Sequence, residues 1–266
     1  MTTLHVVMRT CDKVSLTSNR IVPKDECIFR CLNSLVKSLE NLTAIPYTLH
    51  IIDDRSSENT RSKIKELAPN ATFEFLADRD DSNLDPRQKS RYSVQKMYEY
   101  IYTLPELDLV YIVEDDYLHY PNSIQAMIEA WYYFTQVSGG KNVGIFPQDF
   151  PELYYHPSHL HNDTYIKSCI VMPGPDRYYR TTWYTHESFF ITLRAIHKYK
   201  NHFDNLLAIG SVDGAWEGNT ISNVWAQEDV LMLMPLGTLA IHVSEPKDIP
   251  FFNTDFETLW QQNKVS

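Results

Sequence analysis

Four cysteines in 266 residues are too few and too irregularly placed for a disulfide scaffold. Cys27 and Cys31 lie four apart in a helical stretch, Cys11 and Cys169 are distant from them, and no CxxC pair suggests structural zinc. Reduced, buried thiols are the expectation. Glycine is also scarce, and the region after Met8 has none, which disfavours a Gly-rich phosphate loop beside the first strand. Cationic residues are short: 24 Lys and Arg stand against 34 Asp and Glu, a formal charge of −10. That balance argues against non-specific nucleic-acid binding and against docking on an anionic membrane. No run approaches the roughly 20 apolar residues of a membrane span. The N-terminus enters a strand-like run, Leu4 to Met8, without an apolar signal region, so a cytoplasmic protein with no integral membrane segment is expected.

What is present is an ordinary globular composition, 43% hydrophobic and 22% charged, with a high aromatic share of 13%. The aromatics gather between Trp131 and Trp183, a distribution that suits a ring-bearing ligand as well as a core. Strand and helix signals alternate over the first 130 or so residues. Strands are predicted at Leu4–Met8, Tyr47–Ile52, Thr72–Leu76 and Leu109–Val113. Helices are predicted from Pro23 to Leu39, from a Ser57 cap to Leu67, from Gln88 to Tyr102 and from Ser123 to Phe134. Such alternation implies an α/β fold with a mostly parallel sheet. Later, Asn142–Phe146 and Ser188–Thr192 read as strands and Leu193–Lys200 as a helix. Ser222–Leu233 reads as another helix, Thr238–Val243 as a strand, and residues 246–266 as a polar tail. Loops and short hairpins are expected from Pro147 to Tyr184. No linker divides the chain, so a single domain over 1–266 with an irregular second half is expected.

The most informative stretch is Leu109-Val110-Tyr111-Ile112-Val113-Glu114-Asp115-Asp116-Tyr117. Its apolar run reads as a strand buried on both faces. Three carboxylates at the end of such a strand would repel one another and lose hydration unless a cation sits among them. A hard divalent ion that bridges carboxylates to substrate phosphates fits that need. Pro121 and Asn122 then open a helix, which puts the carboxylates at a strand-to-helix junction, the side of open α/β sheets on which ligands bind.

Three strand ends in this half carry charged or polar residues: Arg9-Thr10, Asp53-Asp54 and Glu114-Asp115-Asp116. Their order resembles the nucleotide-binding half of family-2-like GT-A glycosyltransferases, well over about 4–120 and loosely over 185–245. Ile51-Ile52-Asp53-Asp54-Arg55-Ser56 resembles the family's DD-x-S strand end. Lys89-Ser90-Arg91-Tyr92 is similar to the basic segment before the metal motif of a spore-coat member. Glu114-Asp115-Asp116 resembles the EDD form of the DxD motif. The resemblance implies a nucleotide-binding half to about residue 120, an acceptor half over about 121–245, and a nucleotide-sugar donor, UDP favoured over GDP, with Mn²⁺ or Mg²⁺. It places Asp54 at a uracil-type N–H, Arg9, Thr10 and Arg91 around base and ribose, Glu114 and Asp115 at the ribose side, and Asp116 on the metal.

The second half is expected to supply the acceptor site and a catalytic base. Gln227-Glu228-Asp229-Val230 resembles the late ED motif of inverting members, which makes Asp229 the first candidate base and Glu187, in Thr185-His186-Glu187-Ser188, the second. His242, inside an apolar strand, resembles the late His that completes the metal shell in several GT-A families. His156, His159 and His161 fall in Pro- and Asn-rich surroundings that suggest a solvated loop. Tyr154, Tyr155, Trp183 and Trp225 are candidates for stacking on sugar rings, though core packing is the commoner fate. The expected activity is transfer of a hexosyl or pentosyl group to a hydroxyl acceptor, a glycan, with inversion. A sugar-nucleotide-forming nucleotidyltransferase and a non-catalytic nucleotide- or glycan-binding scaffold are the competing readings; the missing glycines count against the first and the intact acidic triplet against the second.

Overall fold

The computed structural model describes residues 2–13, 22–80, 82–84, 86–150, 169–206, 220–243 and 255–265, with backbone alone at 86–88. The apolar runs of the first half form four parallel strands: β1 (Leu4–Thr10), β2 (Tyr47–Asp53), β3 (Thr72–Phe75) and β4 (Leu109–Glu114). Between them run α1 (Lys24–Glu40), α2 (Glu58–Leu67) and α3 (Pro86–Ile101). After β4 come β5 (Tyr117–His119), α4 (Ser123–Val137), β6 (Asn142–Ile145), β7 (Val171–Pro173), β8 (Tyr178–Thr181) and β9 (Phe189–Thr192). The remaining elements are α5 (Leu193–Lys198), α6 (Lys200–Leu206), α7 (Ser222–Trp225), β10 (Val230–Pro235), β11 (Ala240–His242) and α8 (Phe256–Gln262).

Among the described residues the main sheet has nine strands in the order β3-β2-β1-β4-β9-β6-β10-β8-β7, of which β9 and β8 run against the others, a large mostly parallel sheet as expected. Strand periodicity sorts the core into two layers. Leu4, Val6 and Met8 of β1 and Leu109, Tyr111 and Val113 of β4 pack with Ile28, Leu32 and Leu35 of α1 and with Ile124 and Met127 of α4. Val7, Val110 and Ile112 point to the other face, against Val94, Met97 and Tyr98 of α3 and Phe203 of α6. Each such side chain contributes about 1.5–3 kcal/mol by leaving water.

A separate two-stranded ribbon, β5 with β11, pairs Tyr117 with His242. Behind it Cys27, Cys31, Leu118, Ile241, Val243, Leu259 and Trp260 form a third apolar cluster. Residues 256–262 are therefore not part of a polar tail. Phe256, Leu259 and Trp260 recur at helical spacing, and Asp255 caps the helix by accepting from the Thr258 N–H at 3.0 Å. Arg30 anchors α8 to α1: its Nη1 donates to the Trp260 carbonyl at 2.7 Å and its guanidinium lies 4.4 Å from the Trp260 ring centroid.

The other main correction concerns Ser222–Leu233. Only Ser222–Trp225 is helical, and Val230–Pro235 is a strand of the main sheet. An apolar run of this length suits a buried strand as well as a helix, and pairing with β6 and β8 decides it. The expected helix at Leu193–Lys200 is two short ones, α5 and α6. The β7–β8 hairpin falls in the stretch read as loops and hairpins.

Candidate active site

Strand order reverses between β1 and β4, and the C-terminal ends of these two neighbours carry Thr10-Cys11 and Glu114-Asp115. A crevice at such a switch point is the usual ligand site of an open α/β sheet. Beside it, the end of β2 is tied down by Asp53. Its Oδ2 accepts from the Thr10 hydroxyl at 3.0 Å, and its Oδ1 accepts from the Arg61 Nε at 2.7 Å and the Ser56 N–H at 3.1 Å. The intervening Arg55 takes φ 64°, a left-handed conformation uncommon for a non-glycine residue. Thr10 thus braces the strand end through Asp53.

Asp54 is buried and faces three guanidinium donors. Arg79 reaches both carboxylate oxygens, Nη1 to Oδ1 at 2.7 Å and Nη2 to Oδ2 at 2.8 Å, and Arg55 Nε donates to Oδ1 at 3.1 Å. Arg79 is itself held by the Lys89 carbonyl at 3.0 Å and lies 4.3 Å from the Tyr92 ring centroid. A carboxylate offers about four acceptor directions, so one on Oδ2 stays available beyond these contacts. Sequence reading did not single out Arg79, which sits in a charged loop with no periodicity.

Asp115 closes the crevice. Its Oδ2 accepts from the Cys11 N–H at 3.0 Å, and its Oδ1 is paired with the Lys24 ammonium, on the first turn of α1. Lys24 was likewise not foreseen, because a lysine opening a helix looks like a solvated face.

Asp116 lies at the start of the ribbon, where its carbonyl accepts from the Val243 N–H at 2.7 Å. Its Oδ1 is 3.4 Å from His242 Nε2, both side chains mostly buried. His242 stacks on Tyr117 at 5.0 Å between centroids, and its N–H donates to the buried Gln148 Oε1 at 3.1 Å. Among the described residues no group of three or more His, Cys, Asp or Glu side chains suits a metal ion. Asp116 and His242 could together offer one carboxylate oxygen and one imidazole nitrogen to a divalent cation.

Arg9, Glu114, Glu187 and Arg91 make up the β9 side of the crevice. Arg9 Nη2 bonds Glu187 Oε2 at 2.5 Å and Glu114 Oε1 at 3.2 Å, and Arg91 Nη1 bonds Glu187 Oε1 at 3.1 Å. Burial opposes the Arg9 charge, but Glu187, Glu114 and Asp115 outweigh it and raise its pKa. For Glu114 burial dominates; Arg9 and His242 pull its pKa down, Asp116 and Glu187 add repulsion, and the net shift is upward. The Ser188 hydroxyl accepts from the Glu114 N–H at 3.0 Å, fixing β9 against this end of β4.

Arg9, Thr10, Asp54, Arg91, Glu114, Asp115, Asp116, Glu187 and His242 thus belong to one edge of the fold. Asp229 does not. It lies just before β10, which runs parallel to β6, at the end of the sheet opposite the acidic strand ends. There its carboxylate takes Lys198 Nζ at 2.8 Å, the Tyr199 hydroxyl and Asn142 Nδ2 at 2.9 Å. Lys198 and Tyr199 hold its pKa below the ordinary value. The sequence resemblance to an ED motif assumed a helix, whereas the helix ends at Trp225 and Asp229 lies in the turn that leads into β10. Trp225 is a core residue, its Nε1 donating to the Thr185 hydroxyl at 3.0 Å. Tyr154, Tyr155, His156, His159 and His161 lie outside the described residues.

The structure matches that of S. aureus TarS with a TM-score of 0.52 at 11% identity, over 93% of this chain. The chain has the GT-A glycosyltransferase fold. It spans 38% of the length of that TarS structure. A 1–349 piece of TarS in complex with UDP matches over 90% of this chain and 60% of its own length, at 11% identity and TM-score 0.49. Glucosyl-3-phosphoglycerate synthase from Mycobacterium tuberculosis, in complex with phosphoglyceric acid, matches over 93% and 74%, at 11% identity and TM-score 0.45. No family model and no curated protein matches the sequence. Among the described residues no helix is long and apolar enough to cross a membrane.

Proposed function

We propose that this protein is a metal-dependent glycosyltransferase that moves a sugar from a nucleotide-sugar, with UDP favoured, to a hydroxyl acceptor on a glycan, with inversion. One observation supports the reading: the carboxylates of Asp54, Asp115 and Asp116, the last facing the His242 imidazole, follow one another along the edge that holds the switch point. Asp54, steadied by Arg79, has one acceptor direction left for the N–H of uracil. Asp115 lies where ribose hydroxyls would meet it. Asp116 and His242 would hold Mn²⁺ or Mg²⁺, which neutralises the charge of the departing diphosphate.

The base at this edge is Glu187. Each of its oxygens accepts one guanidinium N–H, which leaves lone pairs for an acceptor hydroxyl. In an inverting step that hydroxyl gives its proton to Glu187 as its oxygen bonds the anomeric carbon. The bond to the nucleoside diphosphate breaks on the opposite face, and the electron pair leaves with the diphosphate. Arg9 and Arg91 orient the carboxylate, and so hold the proton acceptor in place. Hexosyl and pentosyl donors are both compatible with this arrangement.

Calorimetric titration of UDP and GDP with and without Mn²⁺ tests the donor half. Hydrolysis of UDP- and GDP-sugars, by wild type and by Glu187→Gln, tests the chemistry. Metal-dependent UDP binding and a turnover lost in Glu187→Gln are expected. If no nucleotide binds in the presence of metal, the transferase reading falls.

A further inference from the structure

Lys24 is an unusual residue to find beside Asp115. Its side chain is only 13% exposed, so a mobile, strongly hydrated ammonium has been taken largely out of water. A buried ion pair is weak evidence of stabilisation, since desolvation offsets the attraction. Structural support for residue 115 already exists without it: the Cys11 N–H holds Oδ2, and the neighbouring Glu114 is paired in β4. The pair also differs in kind from Arg79 with Asp54, where a rigid fork meets both oxygens and is clamped from behind by the Lys89 carbonyl. Lys24 reaches Asp115 Oδ1 through a flexible four-carbon stem and presents a point charge rather than a fork.

Its location adds the second argument. Lys24 opens α1, and one turn later Cys27 Sγ lies 3.9 Å from the Asp115 carbonyl, so this turn leans directly on the acidic strand end. The ammonium therefore lies where the ends of β1 and β4 meet, and in sheet order β1 separates the Asp54 end of β2 from the Asp115–Asp116 end of β4. A nucleotide with its base at Asp54 and its diphosphate toward Asp116 must pass this point. Until it does, Asp115 is neutralised by Lys24.

We infer that Lys24 is a diphosphate ligand that exchanges partners: it neutralises Asp115 in the empty site, then moves to a diphosphate oxygen and releases Asp115 to the ribose hydroxyls. This rests on the nucleotide-sugar reading above and adds a specificity to it. A nucleoside competes with Lys24 for the Asp115 carboxylate and offers the ammonium no anion in return. A diphosphate supplies the replacement anion, so the site rejects nucleosides and favours diphosphates beyond what the metal pair alone provides. No covalent bond is made or broken in the exchange, and the ammonium trades one anionic oxygen for another.

The test compares binding of UDP and of uridine by wild type, Lys24→Met and Lys24→Arg, all in EDTA so that no metal contributes. Wild type is expected to bind UDP at least tenfold more tightly than uridine. Lys24→Met is expected to lose most of that ratio, chiefly by binding UDP less well, and Lys24→Arg to keep part of it. A wild-type protein that binds neither ligand even when Mn²⁺ is restored defeats the nucleotide reading itself. A wild-type preference for UDP that survives in Lys24→Met defeats the exchange alone. If Lys24→Met does not fold, a crystal structure of wild type with UDP decides. Lys24 Nζ within hydrogen-bond reach of a diphosphate oxygen supports the exchange, and an intact Lys24–Asp115 pair overturns it.

Discussion

Arg79 and Asp54 form a two-armed pair, Nη1 to Oδ1 at 2.7 Å and Nη2 to Oδ2 at 2.8 Å, across a loop and a strand end 25 residues apart in sequence. The geometry sets the plane of the carboxylate, and with it the direction in which its remaining lone pair points. Under the proposed function, recognition of a base edge at Asp54 is thus a property of two residues.

Removing Arg79 should therefore harm both stability and recognition. Breaking a buried pair costs about 3–5 kcal/mol by leaving an uncompensated charge. With Arg79 19% exposed, and Arg55 still on Oδ1, the lower end applies. Arg79→Ala is expected to lower the melting temperature clearly and to weaken UDP binding. Asp54→Asn should erode discrimination between UDP and CDP, because an amide can offer a donor to the cytosine N3 that lacks a proton. Thermal melts and a competition titration would check both, and an unchanged UDP-to-CDP ratio in Asp54→Asn would remove Asp54 from base recognition.

Metal dependence should depend on Asp116 and His242 together. Asp116→Ala and His242→Gln are each expected to reduce the Mn²⁺-dependent gain in UDP affinity by about 10- to 100-fold, the scale seen when metal shells are disturbed. Binding measured in EDTA should be nearly the same in wild type and variants. An unaltered Mn²⁺ response in both variants would put the cation elsewhere.

Much of this site was legible in the sequence because strand ends are written locally. The run Leu109–Val113 is long, apolar and β-branched, so Glu114-Asp115-Asp116 had to fall at its end, and the same holds for Asp53-Asp54 after Tyr47–Ile52. What was not legible depends on contacts distant in sequence. Arg79 and Lys24 look like solvent-facing cations until the loop and α1 are folded over β2 and β4. The position of Asp229 was not legible for a different reason. The run from Ser222 to Leu233 satisfies helix and buried-strand patterns alike, and only sheet pairing with β6 distinguishes them. Residues 256–262 carried the apolar spacing of a helix, but their polar neighbours masked it.

Acid should destabilise the fold through His119. This histidine is buried, bonded through Nε2 to the Tyr111 hydroxyl at 2.8 Å, and burial lowers its pKa to about 3. In the unfolded chain the value is about 6.5. Between these values the unfolded state binds the extra proton, so stability is complete above about pH 6.5 and declines as pH falls toward 3. The slope contributed by one proton approaches ~1.4 kcal/mol per pH unit. His50, stacked on Tyr100 at 3.9 Å between centroids, has its pKa lowered by burial and adds in the same direction. Urea denaturation at several pH values should give a shallower slope for His119→Gln than for wild type, whatever its absolute stability. Equal slopes would mean that His119 is not the group that titrates.

The choice between Glu187 and Asp229 as base is open to direct measurement, because the two sit at opposite ends of the sheet and should fail in different ways. Asp229 is 40% exposed and bound to the half-exposed Lys198, so its pair is a surface interaction that solvent screens. Asp229→Asn keeps the shape, loses a charge, and is expected to reduce turnover by less than tenfold, under ~1.4 kcal/mol of barrier. Glu187→Gln removes the proton acceptor and should cost about 10²- to 10⁴-fold, the usual scale for a positioned base. Because Arg9 and Arg91 both grip Glu187, its substitution also disturbs their placement, so UDP affinity must be measured alongside. A turnover loss in Glu187→Gln with UDP binding intact assigns the base to the β9 side of the crevice. A collapse of turnover in Asp229→Asn, with its melting temperature unchanged, would instead require the far end of β10 to reach the substrate, and would overturn the assignment made here.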